Sequence, residues 1–197
     1  MKTLLGRIMA TLSASALMLV GVAGSAIAVS FDQTEIDQTT VTAIAQPRQD
    51  GSYQLLIIEQ IPHKRQCWSE SGSSPVKIEP LLLGFDFTND CKRATDSNGF
   101  SLRMAGTDLA LKYSLSLQNI NGEVLLMASS GDRNVQPLVI GRTKGMSDGF
   151  LKIILEPGWR FTKRSYQGRT LGHFYFTSDQ VAPDTAGVGI IPTTSRF

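Results

Sequence analysis

The segment from Leu109 to Leu117 constrains the fold most, because its side chains alternate in character along the chain. Its odd-numbered residues are large and apolar, and its even-numbered residues are small or polar. Successive side chains of a β-strand point to opposite faces of a sheet, so this pattern predicts a strand with one buried face. Residues 119–122 (Asn-Ile-Asn-Gly) are typical of a hairpin turn, and residues 123–128 then predict the returning strand.

Similar short runs recur along the chain and are separated by breaks rich in turn residues. Short strands at this spacing predict an all-β fold, a mostly antiparallel sandwich or barrel. Helix is expected to be minor outside the N-terminal segment, with at most a turn or so at residues 33–38. The further predicted strands lie at residues 41–45, 53–61, 81–87, 100–104, 135–140, 150–155, 159–163 and 171–177.

The N-terminal segment has the organisation of a secretory signal peptide. Two basic residues precede an uncharged stretch at residues 8–28, and Ala26 and Ala28 place small side chains at positions −3 and −1 of a cut after Ala28. A retained membrane anchor is the alternative, since an uncharged run of this length could span a bilayer. Glycine and serine dilute the apolar run, which favours cleavage. We predict a signal peptide at residues 1–28, a periplasmic or extracellular location and no stable membrane insertion.

Removal of this segment changes the charge of the protein. The whole chain carries a net charge of +2, and Lys2 and Arg7 account for it, so the mature chain of about 169 residues is neutral. A neutral chain gives no indication of nucleic-acid binding. Its length suits one domain, which we place at residues 29–178. Residues 179–197 contain two prolines and two glycines and few large side chains, which predicts a flexible tail.

Cys67 and Cys91 are the only two cysteines of the chain. In an oxidising compartment two such cysteines usually pair, and the closed loop would stabilise the fold by about 3 kcal/mol. A metal site would recruit His63 and His173, but structural zinc needs four closely spaced ligands, which this sequence does not supply. We therefore predict a structural disulfide, no metal site and no cofactor. The disulfide would join a polar loop at residues 69–75 to the end of the strand predicted at residues 81–87.

The most distinctive polar feature is a basic segment at residues 141–173, which contains seven Lys and Arg residues and two acidic residues. Aromatic residues interleaved with arginine on paired strands suit stacking on sugars and binding of phosphate, sulfate or carboxylate groups. Residues 29–62 instead carry a charge of −4, so the opposite charges could simply pair across neighbouring strands. In that alternative Trp159 and Phe161 point inward. The predicted binding residues are Arg160, Lys163, Arg164, Tyr166 and Arg169.

An acidic stretch offers oxygen ligands that would suit calcium. Its spacing does not fit the EF-hand loop, and residues 96–99 also have the composition of an ordinary turn. The candidate oxygen ligands are Asp86, Asn89, Asp90, Asp96 and Asn98.

Signals for hydrolysis are few. The sequence has no G-x-S-x-G motif, and His173 alternates with apolar neighbours, which favours a packed or edge histidine over a general base. A carboxylate pair for glycoside cleavage could come from Glu59, Glu79, Asp86 or Asp108.

Six segments carry a resemblance to known proteins: FDQTEIDQ (31–38), LLIIEQ (55–60), CW (67–68), LLLGFDFTNDC (81–91), DSNGFSLR (96–103) and LEPGWRFTKRSYQGRTLGHFYFTSD (155–179). Together they resemble a family of exported cyanobacterial proteins classified as a domain of unknown function. The resemblance covers about residues 31–179 and implies a signal peptide, a cyanobacterial source and an envelope or extracellular location. It implies no activity, substrate or catalytic residue.

These observations favour a non-enzymatic, exported β-domain that binds or organises a component of the cell envelope or extracellular matrix. Anionic polysaccharide is the first expected ligand. An envelope hydrolase that cleaves peptidoglycan or polysaccharide through carboxylates is one alternative. A protein–protein adaptor whose tail docks elsewhere is another.

Overall fold

Strands account for nearly all regular structure in residues 30–81 and 89–183, which are the residues that the computed structural model describes. In these residues the only helix is a 3-10 turn at Gln38–Thr40. None of the described helices has the length and hydrophobicity needed to cross a bilayer. The strands are β1 (Asp32–Glu35), β2 (Val41–Pro47), β3 (Tyr53–Gln60), β4 (Trp68–Ser71), β5 (Lys77–Pro80), β6 (Cys91–Ala94), β7 (Phe100–Met104), β8 (Thr107–Asp108), β9 (Tyr113–Ile120), β10 (Glu123–Ser130), β11 (Leu138–Arg142), β12 (Phe150–Leu155), β13 (Trp159–Tyr166) and β14 (Arg169–Ser178).

The described strands form two sheets that curl into a sandwich-like half-barrel. The small sheet has the order β1-β13-β14-β7-β8. The large sheet has the main order β6-β3-β2-β12-β11-β10-β9, with the β4–β5 hairpin attached to β12 through β5. Each described pair is antiparallel except β14 with β7, which is parallel. The prediction of an all-β, mostly antiparallel fold is confirmed.

The main core lies between the two sheets, and a second apolar cluster covers the other face of β2 and β3. Leu55 and Ile57 of β3 join the main core, whereas Leu56 and Ile58 join the second cluster. Because both faces of β3 are covered, its central residues form an unbroken apolar run rather than an alternating one. This arrangement places β2 and β3 of the large sheet between two apolar layers.

The predicted hairpin after Leu109 is confirmed, with one correction at its start. The pair β9–β10 is in register from Ile120 opposite Glu123, with the Asn-Gly turn at positive φ between them. Strand β9 begins only at Tyr113, however, because residues 109–112 form a turn in which the amide of Lys112 donates to the carbonyl of Leu109. Leu109 is buried there, but Leu111 is fully exposed instead of sharing the buried face.

Most other strand predictions hold, and the differences are local. The helical turn predicted at residues 33–38 is wrong, because residues 32–35 form β1 against β13. The strand predicted at residues 135–140 begins at Leu138. Besides β1, four short strands were not predicted: β4, β5, β6 and β8. The strand predicted at residues 81–87 lies outside the described residues except for Leu81, which is not in a strand.

The predicted disulfide between Cys67 and Cys91 is present, with an S–S distance of 2.01 Å and both residues buried in the second cluster. Cys67 directly precedes β4 and Cys91 begins β6, so the bond fastens the β4–β5 hairpin to the edge of the large sheet. Residues 69–71, predicted as part of a polar loop, lie in β4.

The two ends of the chain were predicted as a signal peptide and a flexible tail. Residues 1–29 and 184–197 lie outside the described part of the chain. Of the predicted tail, residues 179–183 follow β14 without a further strand, and Ala182 packs into the main core with 3% exposure.

Candidate anion-binding site

The face of the small sheet that points away from the main core carries polar and charged side chains. On β14, Phe174 and Phe176 enter the main core, so the intervening Tyr175 points to the opposite face. On β7, Leu102 enters the main core and Arg103 points to the same opposite face as Tyr175. We call this opposite face the polar face. Its side chains include Ser101, Arg103, Asp108, Arg164, His173 and Tyr175.

Asp108, Arg164 and Tyr175 form a closed hydrogen-bonded triangle on the polar face. The hydroxyl of Tyr175 donates to Oδ2 of Asp108 at 2.7 Å and accepts from Nε of Arg164 at 2.7 Å. Nη2 of Arg164 donates to the same Oδ2 at 2.8 Å, and the amide of Ala110 donates to Oδ1 at 3.0 Å. The Asp108 carboxylate is therefore fully engaged with donors from β13, β14 and the turn after β8.

These contacts shift the pKa values of both acidic groups of the triangle. Burial by itself would raise the pKa of Asp108, but the hydrogen bonds from Tyr175, Ala110 and Arg164 outweigh it and lower the pKa. Burial also raises the pKa of the Tyr175 hydroxyl, and its hydrogen bond to Asp108 adds to the increase. The triangle thus holds a charged carboxylate beside a neutral phenol at neutral pH.

Arg103 adds a second guanidinium to this cluster. It is 5% exposed and lies 5.2 Å from the centroid of the Tyr175 ring, the same distance as Arg164. Nη1 of Arg103 donates to the carbonyl of Phe31, but its buried Nε has no hydrogen-bond partner among the described residues. Asp108 is the cross-strand neighbour of Arg103, yet it forms its ion pair with Arg164. The cluster therefore holds two guanidinium groups and one carboxylate.

A cleft of about 740 Å³ opens beside this cluster, and we call it the β8 cleft. Asp108 and Arg164 lie at its polar side, and Phe31 and the turn at residues 109–112 form the rest of its wall. The Arg164 guanidinium stacks 4.6 Å from the centroid of the Phe31 ring, which fixes its orientation. Nη1 of Arg164 donates no hydrogen bond within the described residues, so its N–H groups are available to a ligand.

In the structure, the five binding residues predicted from the sequence lie in different surroundings. Arg164 lines the β8 cleft, and Tyr166 packs edge-on against Phe31 at 5.9 Å while remaining 38% exposed. Arg169 is exposed at the start of β14 and forms no ion pair with any described residue. Of the five, Arg164 and Tyr166 are the two recorded in contact with the Phe31 ring.

The other two residues form ion pairs across the fold. Arg160 pairs with Glu35 and Asp179, each at 3.0 Å, and these contacts raise the pKa of the guanidinium above its usual value. Lys163 is buried, stacks over the Phe174 ring and forms an ion pair with Glu59 of β3. Because Glu35 and Glu59 belong to the acidic first third of the chain, opposite charges of the first and last thirds do pair.

Sequence reasoning missed Arg103, Phe31 and Tyr175 as members of the site. In the strand predicted at residues 100–104, the side chains of Leu102 and Arg103 point to opposite faces of the sheet. This alternation indicates that Arg103 lies outside the core. Its convergence with Arg164 depends on the parallel pairing of β14 with β7, which no local pattern indicates.

Two of the carboxylates considered for calcium are engaged elsewhere. Oδ1 of Asp96 accepts from the amide of Asn98 at 2.9 Å, as in an ordinary turn, and Asp90 pairs with Arg65. Among residues 30–81 and 89–183 no group of three or more His, Cys, Asp and Glu residues could hold a metal ion. Asp86 lies outside the described residues.

The carboxylates considered for hydrolysis are dispersed as well. Glu59 forms a largely buried ion pair with Lys163, Glu79 is exposed on β5, and Asp108 lies in the β8 cleft. The β8 cleft therefore contains one of these described carboxylates rather than the pair that glycoside hydrolysis requires.

The charge of Asp108 should make stability depend on pH. Its pKa is lower in the folded protein than the value of about 3.9 expected for an unfolded chain. The stabilisation is thus present above that value and is lost as pH falls through the folded pKa. We expect the melting temperature of the wild type to exceed that of Asp108→Asn at pH 7, and the difference to shrink towards pH 3. A difference that stays constant across this range would contradict the assignment.

These features define a sandwich-like all-β domain with a cation-rich cleft on its small sheet. The chain belongs to the family described as protein of unknown function (DUF3747), whose model matches residues 8–181. The predicted resemblance to a domain of unknown function is thereby confirmed. No curated protein and no solved structure matches the chain.

Proposed function

We propose that the protein is an exported domain of the cyanobacterial cell envelope or extracellular matrix that binds anionic glycan in the β8 cleft. The observation that carries the proposal is the excess of cation over anion beside this cleft. Arg103 and Arg164 approach the same ring of Tyr175, and among the described residues Asp108 is the one carboxylate that pairs with this cluster. A buried cation without a counter-charge is costly, and an anionic ligand would remove that cost.

Two guanidinium donors of this cluster have no acceptor among the described residues and could serve an oxyanion. Nε of Arg103 is buried without an acceptor in the described residues, and Nη1 of Arg164, which lines the β8 cleft, donates to none of them. Guanidinium groups donate pairs of parallel N–H bonds to carboxylate, sulfate or phosphate oxygens. One such group on a sugar would engage these donors without displacing Asp108 from the triangle.

The walls of the cleft supply the apolar contacts that a sugar ring needs. Phe31 presents an aromatic ring, and Leu111 on the opposite turn is fully exposed. A sugar ring has an apolar C–H face beside polar hydroxyls, so it can pack on such surfaces while its charged group meets Arg164. Tyr166 and Arg169 lie on the exposed end of the β13–β14 hairpin and would contact further units of a polymer.

Lys163 and Arg160 have different roles in this proposal. The ammonium of Lys163 is buried against Glu59 and Phe174, so it holds β13 to β3 rather than contacting the ligand. Arg160 is already paired with two carboxylates, and it fixes β1 and the end of β14 around β13.

Export and location are supported by one sequence prediction and one structural observation. The first is the predicted signal peptide at residues 1–28. The second is the disulfide, which is typical of oxidising compartments outside the cytoplasm. Both agree with a partner in the cell envelope, where acidic polysaccharides are available.

The proposal is tested by calorimetric titration of residues 29–197 with three oligosaccharides: a sulfated one, one rich in uronic acid and a neutral one of equal length. We expect binding of the acidic oligosaccharides and none of the neutral one. Arg164→Gln should weaken binding at least about 10-fold, equivalent to about 1.4 kcal/mol. Arg142→Gln is the matched control, because Arg142 also pairs with carboxylates but lies on the large sheet.

Two results would contradict the proposal. One is equal affinity for the neutral oligosaccharide, which would show that charge does not contribute. The other is an equal loss of affinity in Arg164→Gln and Arg142→Gln, which would show that the β8 cleft is not the site.

A further inference from the structure

Leu111 projects fully into solvent from the turn at residues 109–112, with an exposure of 103%. The turn itself is fixed, because Leu109 is buried in the main core and its carbonyl accepts from the amides of Lys112 and Tyr113 at 3.0 Å each. A rigid backbone therefore holds a large apolar side chain outwards. Such a side chain exposes apolar surface that a partner could remove from water.

Two aromatic side chains lie on the same part of the surface as Leu111. Phe31 and Leu111 both line the β8 cleft, and the ring of Tyr166 packs edge-on against Phe31 while remaining 38% exposed. A leucine and two aromatic rings thus lie around one cleft mouth instead of being scattered singly, and such a patch marks an interaction surface. We call this surface the β8 rim, and it also includes the neighbouring cations Lys112, Arg164 and Arg169.

The cations of the β8 rim outnumber the carboxylates beside it. Lys112 and Arg164 line the cleft, and Asp108 is the one carboxylate among the described residues that line it. Arg169 is the cross-strand partner of Tyr166, so their side chains lie on the same face of the β13–β14 hairpin. With three cations against one carboxylate, these described side chains carry a net charge of +2. The rim is therefore complementary to an anionic surface.

The chain also enters the domain at the β8 rim. Ser30 and Phe31 line the cleft, and Nη1 of Arg103 donates to the carbonyl of Phe31 at 3.1 Å, which fixes the point of entry. The uncharged run at residues 8–28, predicted as the signal peptide, ends immediately before this point in the sequence. A signal peptide resides in a bilayer until it is cleaved. In the precursor, the β8 rim would therefore start out beside the membrane surface.

We propose that the β8 rim docks on the surface of an anionic lipid bilayer, with Leu111 at the boundary of the acyl chains and Arg164 and Arg169 at the lipid phosphates. Peripheral docking of this kind combines burial of a few apolar side chains with attraction to anionic headgroups, and no segment crosses the bilayer. Fluid lipid accepts a projecting leucine without a preformed pocket, whereas a protein partner would need such a pocket.

This inference does not rest on glycan binding, although the two partners would contact some of the same residues. Vesicles of phospholipid contain no sugar, so their binding is measured independently of the glycan titration. A negative glycan titration would leave the docking proposal standing, and the reverse is equally true.

The test is co-sedimentation of residues 29–197 with vesicles of phosphatidylglycerol and with vesicles of phosphatidylcholine. We expect binding to the anionic vesicles that weakens with added salt, and at least about 10-fold weaker binding to the phosphatidylcholine vesicles. Leu111→Ser should weaken binding to phosphatidylglycerol at least about 10-fold, because a buried leucine is lost. Arg169→Gln should weaken it about 5-fold, the contribution of one basic side chain near an anionic surface.

The matched control is Leu81→Ser, because Leu81 is also exposed, at 42%, but directly follows β5 of the large sheet. This variant should bind like the wild type, and melting curves should show that each variant is folded. Absence of binding to phosphatidylglycerol vesicles would overturn the proposal, as would equal affinity for both kinds of vesicle. An equal loss of affinity in Leu111→Ser and Leu81→Ser would also overturn it, because the β8 rim would then not be the docking surface.

Discussion

Replacement of Glu59 by glutamine is expected to lower the free energy of unfolding by about 3–5 kcal/mol, because it removes one partner of a buried ion pair. The side chain of Lys163 is 3% exposed and that of Glu59 is 12% exposed, and the pair joins β13 of the small sheet to β3 of the large sheet. Lys92 also contacts Glu59 at 3.4 Å. Urea denaturation followed by circular dichroism measures the loss.

The matched control is Glu79→Gln, which removes an exposed carboxylate on β5 and should change stability by less than about 0.5 kcal/mol. The double variant Glu59→Gln/Lys163→Met should regain much of the loss, because no unpaired charge stays buried. A Glu59→Gln variant as stable as Glu79→Gln would contradict the inferred burial of this pair.

The stability of the Glu59→Gln variant should also depend on pH in an unusual way. Burial lowers the pKa of Lys163 even with Glu59 present, and the pKa should fall further without it. The unfolded chain then binds more protons than the folded one up to the ordinary lysine value of about 10.4. The stability of Glu59→Gln should therefore increase with pH in this window. The Glu59→Gln/Lys163→Met variant should lack this increase.

Removal of the disulfide is expected to cost about 3 kcal/mol, because the loop that it closes then gains conformational freedom in the unfolded chain. The variant Cys67→Ala/Cys91→Ala avoids burying hydroxyl groups in the second apolar cluster. Its unfolding midpoint in urea should lie below that of the oxidised wild type and should not respond to reductant.

The wild type supplies the control for this experiment. Full reduction should bring its unfolding midpoint close to that of the double alanine variant. An oxidised wild type whose midpoint equals that of the variant would show that the bond between Cys67 and Cys91 does not stabilise the fold. Two free thiols in protein recovered from outside the cytoplasm would contradict the disulfide itself.

Local patterns were sufficient for the strands that have one clear apolar face or an unbroken apolar run. The β9–β10 hairpin follows from alternation and an Asn-Gly turn, which are both short-range features. Leu109 shows where such reasoning fails. Its side chain is buried as alternation predicts, but the Asp108 carboxylate accepts from the amide of Ala110 and favours a turn in place of a strand.

The site was less predictable because it depends on distant segments. Arg164 was identified as a member of a basic segment, but its partners Asp108 and Tyr175 follow from the meeting of β8, β13 and β14. Lys163 and Arg164 are neighbours in the sequence and in the predicted binding set, but Lys163 is buried in an ion pair with Glu59 whereas Arg164 lines the β8 cleft. Charge counting located the cations, whereas strand pairing decides which of them retain free donors.

The central claim is that Arg103 and Arg164 together bind an anionic group of a glycan. Its most direct test is nuclear magnetic resonance of the arginine Nε–Hε groups in residues 29–197 during titration with a sulfated disaccharide. We predict saturable shifts for Arg103 and Arg164 with one affinity, the larger shift for Arg103 because its Nε gains an acceptor, and no shift for Arg142. Shifts confined to the exposed Arg169, or equal for every arginine, would contradict the claim.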